Sequence, residues 1–187
     1  MSNTKRASGV LMHVSSLYGD YSIGSFGKEA LEFIDFLSES GFTYWQVLPF
    51  CMTDDCNSPY KSYSAFGANP YFIDLPTLRE KGLLTDAELF SAKQRSPYLC
   101  EYDRLDSSRL DLLKKASLRV SEDEKRAVLD FVNSNSDYEA VCRFLALKEA
   151  NNDAPWQEFT TDSYSEETLF MWQFIQYEFF HWVKNSY

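Results

Sequence analysis

Side chains able to recognise or react with a ligand crowd into one stretch, Asn57-Ser58-Pro59-Tyr60-Lys61-Ser62-Tyr63-Ser64-Ala65-Phe66-Gly67-Ala68-Asn69-Pro70. Hydroxyls, amides and aromatic rings at this density cannot form a core, because each polar group taken out of water needs a partner. They suit a sugar, whose hydroxyls need donors and acceptors and whose apolar face stacks on an aromatic ring. The competing reading is an ordered connection in which the prolines and Gly67 fix turns. Cys51 and Cys56, spaced C-x4-C around Asp54 and Asp55, invite a metal reading. The second ligand pair is missing and His13 and His181 lie far off in sequence, so no metal is expected. Asp54, Asp55 and Asp103 read as solvated surface charge.

The loop follows the apolar run Tyr44-Trp45-Gln46-Val47-Leu48-Pro49-Phe50, so a buried strand over 43–50 positions it. An earlier apolar run, 9–14, reads as another buried strand with His13 near its end. Between them, Ser25 can cap a helix whose apolar positions Phe26, Ala30, Phe33, Ile34 and Leu37 recur at three and four, and Gly41 closes it. Strand, helix, strand with a right-handed crossover makes the strands parallel neighbours. Binding residues of such folds gather where strands end, and the loops 15–24 and 51–70 leave from that same edge.

From Pro76 onward the pattern turns helical. A turn over 76–81 is closed by Gly82, and Thr85 with Glu88 has capping-box spacing. Helices follow over 103–117, from Ser121 to Val132, and from Ser136 to about Ala150. The last helix starts at Ser165 and carries aromatic residues all round, so it must be covered on most sides by a sheet of more than two strands. Left open, that aromatic surface would promote association. The divisions predicted are 1–75, two β/α units with the loop; 76–160, a helical insertion; and 161–187, a further helix.

Net charge is −10, which disfavours nucleic acid and anionic membranes as partners. No run approaches a membrane span, Met1 to Arg6 lacks the apolar core of a signal peptide, and the four scattered cysteines make no disulfide framework. These features point to a cytoplasmic protein.

Four ordered motifs resemble the N-terminal part of the 4-alpha-glucanotransferases, the amylomaltase or disproportionating-enzyme family, glycoside hydrolase family 77. They are the runs 8–17, 21–30, 44–49 and 57–74, with weaker echoes at Ala146-Leu147-Lys148, Pro155-Trp156 and 176–180. The resemblance implies an α/β fold, the N-terminal part of a (β/α)8 TIM barrel with a mostly helical inserted subdomain. It also implies transfer of α-1,4-glucan segments between maltooligosaccharides by a retaining two-carboxylate mechanism, with no metal or organic cofactor.

A barrel takes about 250 residues, and this chain supplies roughly two of eight strands. The resemblance therefore implies an N-terminal portion whose catalytic carboxylates lie beyond residue 187, leaving the chain alone inactive. What it carries over is substrate contact: Tyr60 beside a bound glucose and Ser58 lining the same pocket, with His13 a buried, hydrogen-bonded support. Asp55 stands where a tyrosine of a secondary glucan site is common, and Tyr18 where a proline is usual. A stand-alone carbohydrate-binding remnant, or an orphan piece without function, are the alternatives.

Overall fold

The computed structural model describes residues 6–53 and 56–185; Asp54 and Asp55 lie outside the described residues. Two short strands, β1 (Gly9–Leu11) and β2 (Tyr44–Gln46), pair in parallel with Gly9 opposite Tyr44 and Leu11 opposite Gln46. Helix α1 (Lys28–Glu39) connects them, as the strand-helix-strand pattern requires. Both strands are shorter than the apolar runs 9–14 and 43–50 suggest. The ladder ends after Met12 N–H donates to the Gln46 carbonyl, because the Leu48 N–H is taken by the His13 imidazole instead of a strand carbonyl. Val14–Ser16 then turns into a 3₁₀ helix.

Ser25 does not cap α1. The cap position is Gly27, and the Ser25 hydroxyl donates to Asp74 at 2.9 Å. Asp74 in turn caps α2 (Leu75–Glu80), accepting from the Thr77 N–H at 2.9 Å and its hydroxyl at 2.7 Å. The C-terminus of α1 ends as expected: Gly41 takes a φ of +78°, and the N–H groups of Gly41 and Phe42 close onto the carbonyls of Ser38 and Leu37.

The remaining helices are α3 (Asp86–Ser91), α4 (Tyr102–Ser117), α5 (Glu122–Asn133), α6 (Ser136–Ala150) and α7 (Glu166–Asn185). Thr85 and Glu88 form the full capping box on α3, and Ser121 caps α5. Helix α6 is capped by Asn135, one residue before the predicted Ser136, because the Asn135 side chain accepts from the Asp137 N–H.

The cover of α7 differs from expectation. Its Met171, Trp172, Phe174 and Ile175 are buried in a cluster with Leu113 of α4, Val128 of α5 and Leu145 of α6, so helices cover it instead of a sheet. One turn on, Phe179 joins a second cluster whose hub is Phe26, with ring centroids 5.4 Å apart. The aromatic surface of α7 is thus mostly covered, as its all-round pattern requires, but by helices. Each fully buried ring or branched side chain contributes about 1.5–3 kcal/mol, so α7 is the strut that joins the helical block to the sheet side. No helix among the described residues is long and apolar enough to cross a membrane.

Candidate functional site

The site is built where β1 and β2 end. His13, the second residue after β1, is 9% exposed, and its Nδ1 accepts the Leu48 N–H at 3.3 Å. Its ring stacks on Phe50 at 6.0 Å and meets the edge of Phe72 at 5.2 Å. Burial lowers its pKa, which keeps the ring neutral and Nδ1 free to accept at pH 7. His13 therefore locks the two strand ends together, as its position in sequence suggests.

The loop after β2 is closed at its base by main-chain pairing. Asn69 N–H donates to the Phe50 carbonyl at 2.8 Å and Met52 N–H to the Gly67 carbonyl at 3.1 Å, with Cys51 facing Ala68 in an antiparallel bridge. The N–H and C=O of Ala68 point to the other side, where Gln176 of α7 receives them. Its Oε1 accepts the N–H at 2.8 Å and its Nε2 donates to the carbonyl at 3.5 Å. The amide stands in for a neighbouring strand. Gln176 and Ala68 are buried, so this clamp fixes the loop base to the helical block.

Inside the loop the hydroxyls and amides hold its own backbone. Asn57 takes a φ of +52°, and the Lys61 N–H donates to the Ser58 carbonyl at 3.0 Å. The Ser58 hydroxyl accepts the Tyr60 N–H at 3.4 Å, Ser64 Oγ accepts from Phe66 and Gly67, and Asn69 caps a 3₁₀ turn over Pro70–Phe72. Part of the loop's polarity thus serves the turn-fixing role that was the competing reading.

A cleft of about 160 Å³ opens beside this loop, lined by His13, Ser15, Ser16, Asn57, Pro59 and Asn69 among others. Both loops expected at the strand ends contribute to it. Ser58 and Tyr60 flank Pro59 on its rim without lining it; Ser58 is half-buried, and the Tyr60 ring is 76% exposed. No carboxylate lines this cleft among the described residues.

Thr53 and Asn57 also border a second cavity, of about 280 Å³, that reaches Tyr63, Tyr71, Lys148 and Trp172. There the Tyr71 hydroxyl donates to Asp106, and burial with that bond pushes the Tyr71 phenol far up. Lys148 Nζ lies 5.0 Å from the Tyr63 ring centre and donates to the Asp153 carbonyl at 2.6 Å. The buried indole N–H of Trp172 has no hydrogen-bond partner among the described residues. A groove of about 340 Å³ between α4, α5 and α7 shares no lining residue with either space among the described residues.

Asp103 is exposed in the first turn of α4, in keeping with a solvated charge. Cys51 is half-buried and Cys56 exposed; no group of three or more metal-ligating side chains occurs among the described residues. Sequence reasoning met Gln176 only within the echo 176–180 and missed its clamping role, and it missed Arg109. Arg109, buried on α4, donates to the carbonyls of Tyr21 at 2.7 Å, Tyr71 at 3.1 Å and Ile73 at 3.1 Å, and burial lowers its pKa to about 10. The one available signal was a cationic residue among the leucines of α4.

Solved structures share this architecture. An amylomaltase from Streptococcus agalactiae, solved in complex with acarbose, superposes with a TM-score of 0.89 at 32% identity, over 97% of this chain and 40% of that one. An amylomaltase from Corynebacterium glutamicum, at a TM-score of 0.74 and 15% identity, shares the fold over 96% of this chain. The fold, helical with a small sheet, matches the N-terminal portion of the amylomaltase fold.

The 4-alpha-glucanotransferase family model matches residues 12–185, and the chain belongs to that family. A 4-alpha-glucanotransferase of Clostridium butyricum is 36% identical over 93% of this chain, and one of Thermus thermophilus 36% identical over 82%. The chain spans 39% and 31% of the length of these two relatives.

Proposed function

We propose that this chain is the N-terminal, glucan-contacting part of a 4-alpha-glucanotransferase, which moves α-1,4-glucan segments between maltooligosaccharides. The observation that carries the reading is the cleft at the ends of β1 and β2, where an imidazole, two serines and two asparagines converge under a tyrosine-bearing rim. In this reading Tyr60 stacks on a glucose ring and Ser58 bonds a sugar hydroxyl. Residues 1–75 belong to a (β/α)8 barrel, 76–160 are its helical insertion, and 161–187 begin the next barrel helix. The protein works in the cytoplasm without metal or organic cofactor.

Retaining transfer needs two carboxylates about 5–5.5 Å apart. One attacks the anomeric carbon, while the other protonates the departing glycosidic oxygen. It then takes the proton from the incoming sugar hydroxyl, which releases the first carboxylate. The described lining of the cleft contains neither. That same observation supports a second reading, a carbohydrate-binding module without chemistry.

Calorimetric titration of the chain with maltotriose, beside Tyr60→Ala, tests the shared core of both readings. Saturable binding that Tyr60→Ala abolishes supports them; binding indifferent to Tyr60, or none, rejects the loop as the contact.

A further inference from the structure

A further concavity, of about 300 Å³, adjoins the cleft and shares Ser15 and Ser16 with it. Its outer wall is Tyr18, Tyr98, Leu99 and Cys100. The three large side chains there are unusually open: Tyr18 is 46%, Tyr98 81% and Leu99 59% exposed. Two rings and an isobutyl group held in water beside serine hydroxyls make the mixed apolar and polar surface that a sugar face requires.

The two segments that carry these side chains are tied together, so the wall is preformed. Gly19 N–H donates to the Pro97 carbonyl at 2.9 Å, Gln94 N–H to Asp20 at 2.8 Å, and Glu101 N–H to Ser22 at 2.8 Å. Gln94 Nε2 adds a bond to the Gly19 carbonyl at 2.6 Å, and Cys100 Sγ donates to the Ser15 carbonyl at 3.1 Å. Lys93 pairs with Asp20 at 2.8 Å. The Tyr18 hydroxyl donates to Glu32 of α1, which holds the ring by its far end and leaves its face open. Backbone segments this restrained lose little conformational freedom when the wall binds.

We infer that Tyr18 and Tyr98 form an aromatic platform for the outlying glucose units of an α-1,4-glucan, continuing the cleft outward past Ser15 and Ser16. The inference rests on the proposed glucan-contacting role of the cleft and adds a length-dependent subsite to it. A short oligosaccharide fills the cleft alone, whereas a longer one also covers the platform.

The test is titration of the full chain with maltotriose and with maltoheptaose, for wild type, Tyr98→Ala, Tyr18→Ala and Tyr60→Ala. Wild type should bind maltoheptaose more tightly than maltotriose. Tyr98→Ala should weaken maltoheptaose by about tenfold, the worth of one buried ring, and leave maltotriose within about twofold. Tyr98 is exposed, so its variant folds; Tyr18→Ala gives the second reading of the same wall. Loss of maltoheptaose binding in Tyr60→Ala but in neither platform variant overturns the platform and leaves the loop standing. Loss in Tyr98→Ala with Tyr60→Ala unaffected keeps the platform and removes the loop. Failure of wild type to bind either sugar overturns both.

Discussion

Replacing Gln176 by leucine removes the amide that clamps Ala68 while nearly preserving volume. Gln176 is 0% and Ala68 2% exposed, so no water can take the place of the lost partner without opening the packing. The bond to the Ala68 N–H, at 2.8 Å, is a full one; that to the carbonyl, at 3.5 Å, is at the limit of a hydrogen bond and adds little. One buried backbone donor left unpaired costs about 1–3 kcal/mol. For a domain of this size each kcal/mol is worth about 2–4 °C, so a loss of about 2 kcal/mol lowers Tm by about 4–8 °C.

Two measurements separate the clamp from a general packing effect: thermal unfolding by circular dichroism, and amide hydrogen exchange with and without the substitution. The Ala68 amide should lose protection in the folded state, together with Met52 and Asn69 of the loop base, while amides in the middle of α6 keep theirs. A Tm within about 1 °C of wild type and an unchanged Ala68 amide would mean that Gln176 does not clamp the loop base.

Arg109→Met leaves three carbonyls, those of Tyr21, Tyr71 and Ile73, without their donor and should destabilise by about 2–4 kcal/mol, read from urea denaturation. Arg109→Lys cannot span all three and should recover only part of the loss. His13 is held below its ordinary pKa, near 6.5, by burial, so the unfolded chain binds that proton more readily. Its contribution is complete above the ordinary value and fades as pH falls through it toward the folded-state value. The wild-type Tm should therefore decline more steeply than that of His13→Asn from about pH 7 to pH 5.5, and parallel declines would count against it. Incubated with maltotriose, the 187-residue chain should release neither glucose nor longer oligosaccharides, since no carboxylate lines the described cleft. Chromatographic detection of such products would overturn this.

The parallel strand pair, the helix between them and the caps at Thr85 and Ser121 were legible because each rests on local signals: apolar runs, three-and-four spacing and capping residues. The strand lengths were not. Apolarity continues through Val14 and Phe50, and only the His13 imidazole taking the Leu48 N–H ends the ladder. Ser25 was misassigned because Asp74, 49 residues away, competes for its hydroxyl. The cover of α7 depended on helices α4 to α6, whose apolar faces could be read singly but not paired. The clamping role of Gln176 was invisible for the same reason: its partner is a backbone group 108 residues earlier, and backbone carries no sequence signature. The loop 57–70 was found from composition alone, but its split between turn-fixing serines and an open tyrosine needed coordinates.

Contact between a glucan and the strand-end cleft with its loop is open to amide chemical-shift mapping of the chain titrated with maltotriose. Saturable shifts are expected at Ser15, Ser16 and residues 57–60, with α5 and the 340 Å³ groove silent. Saturable shifts confined to residues outside the cleft and its rim, or no saturable shift at all, would contradict it.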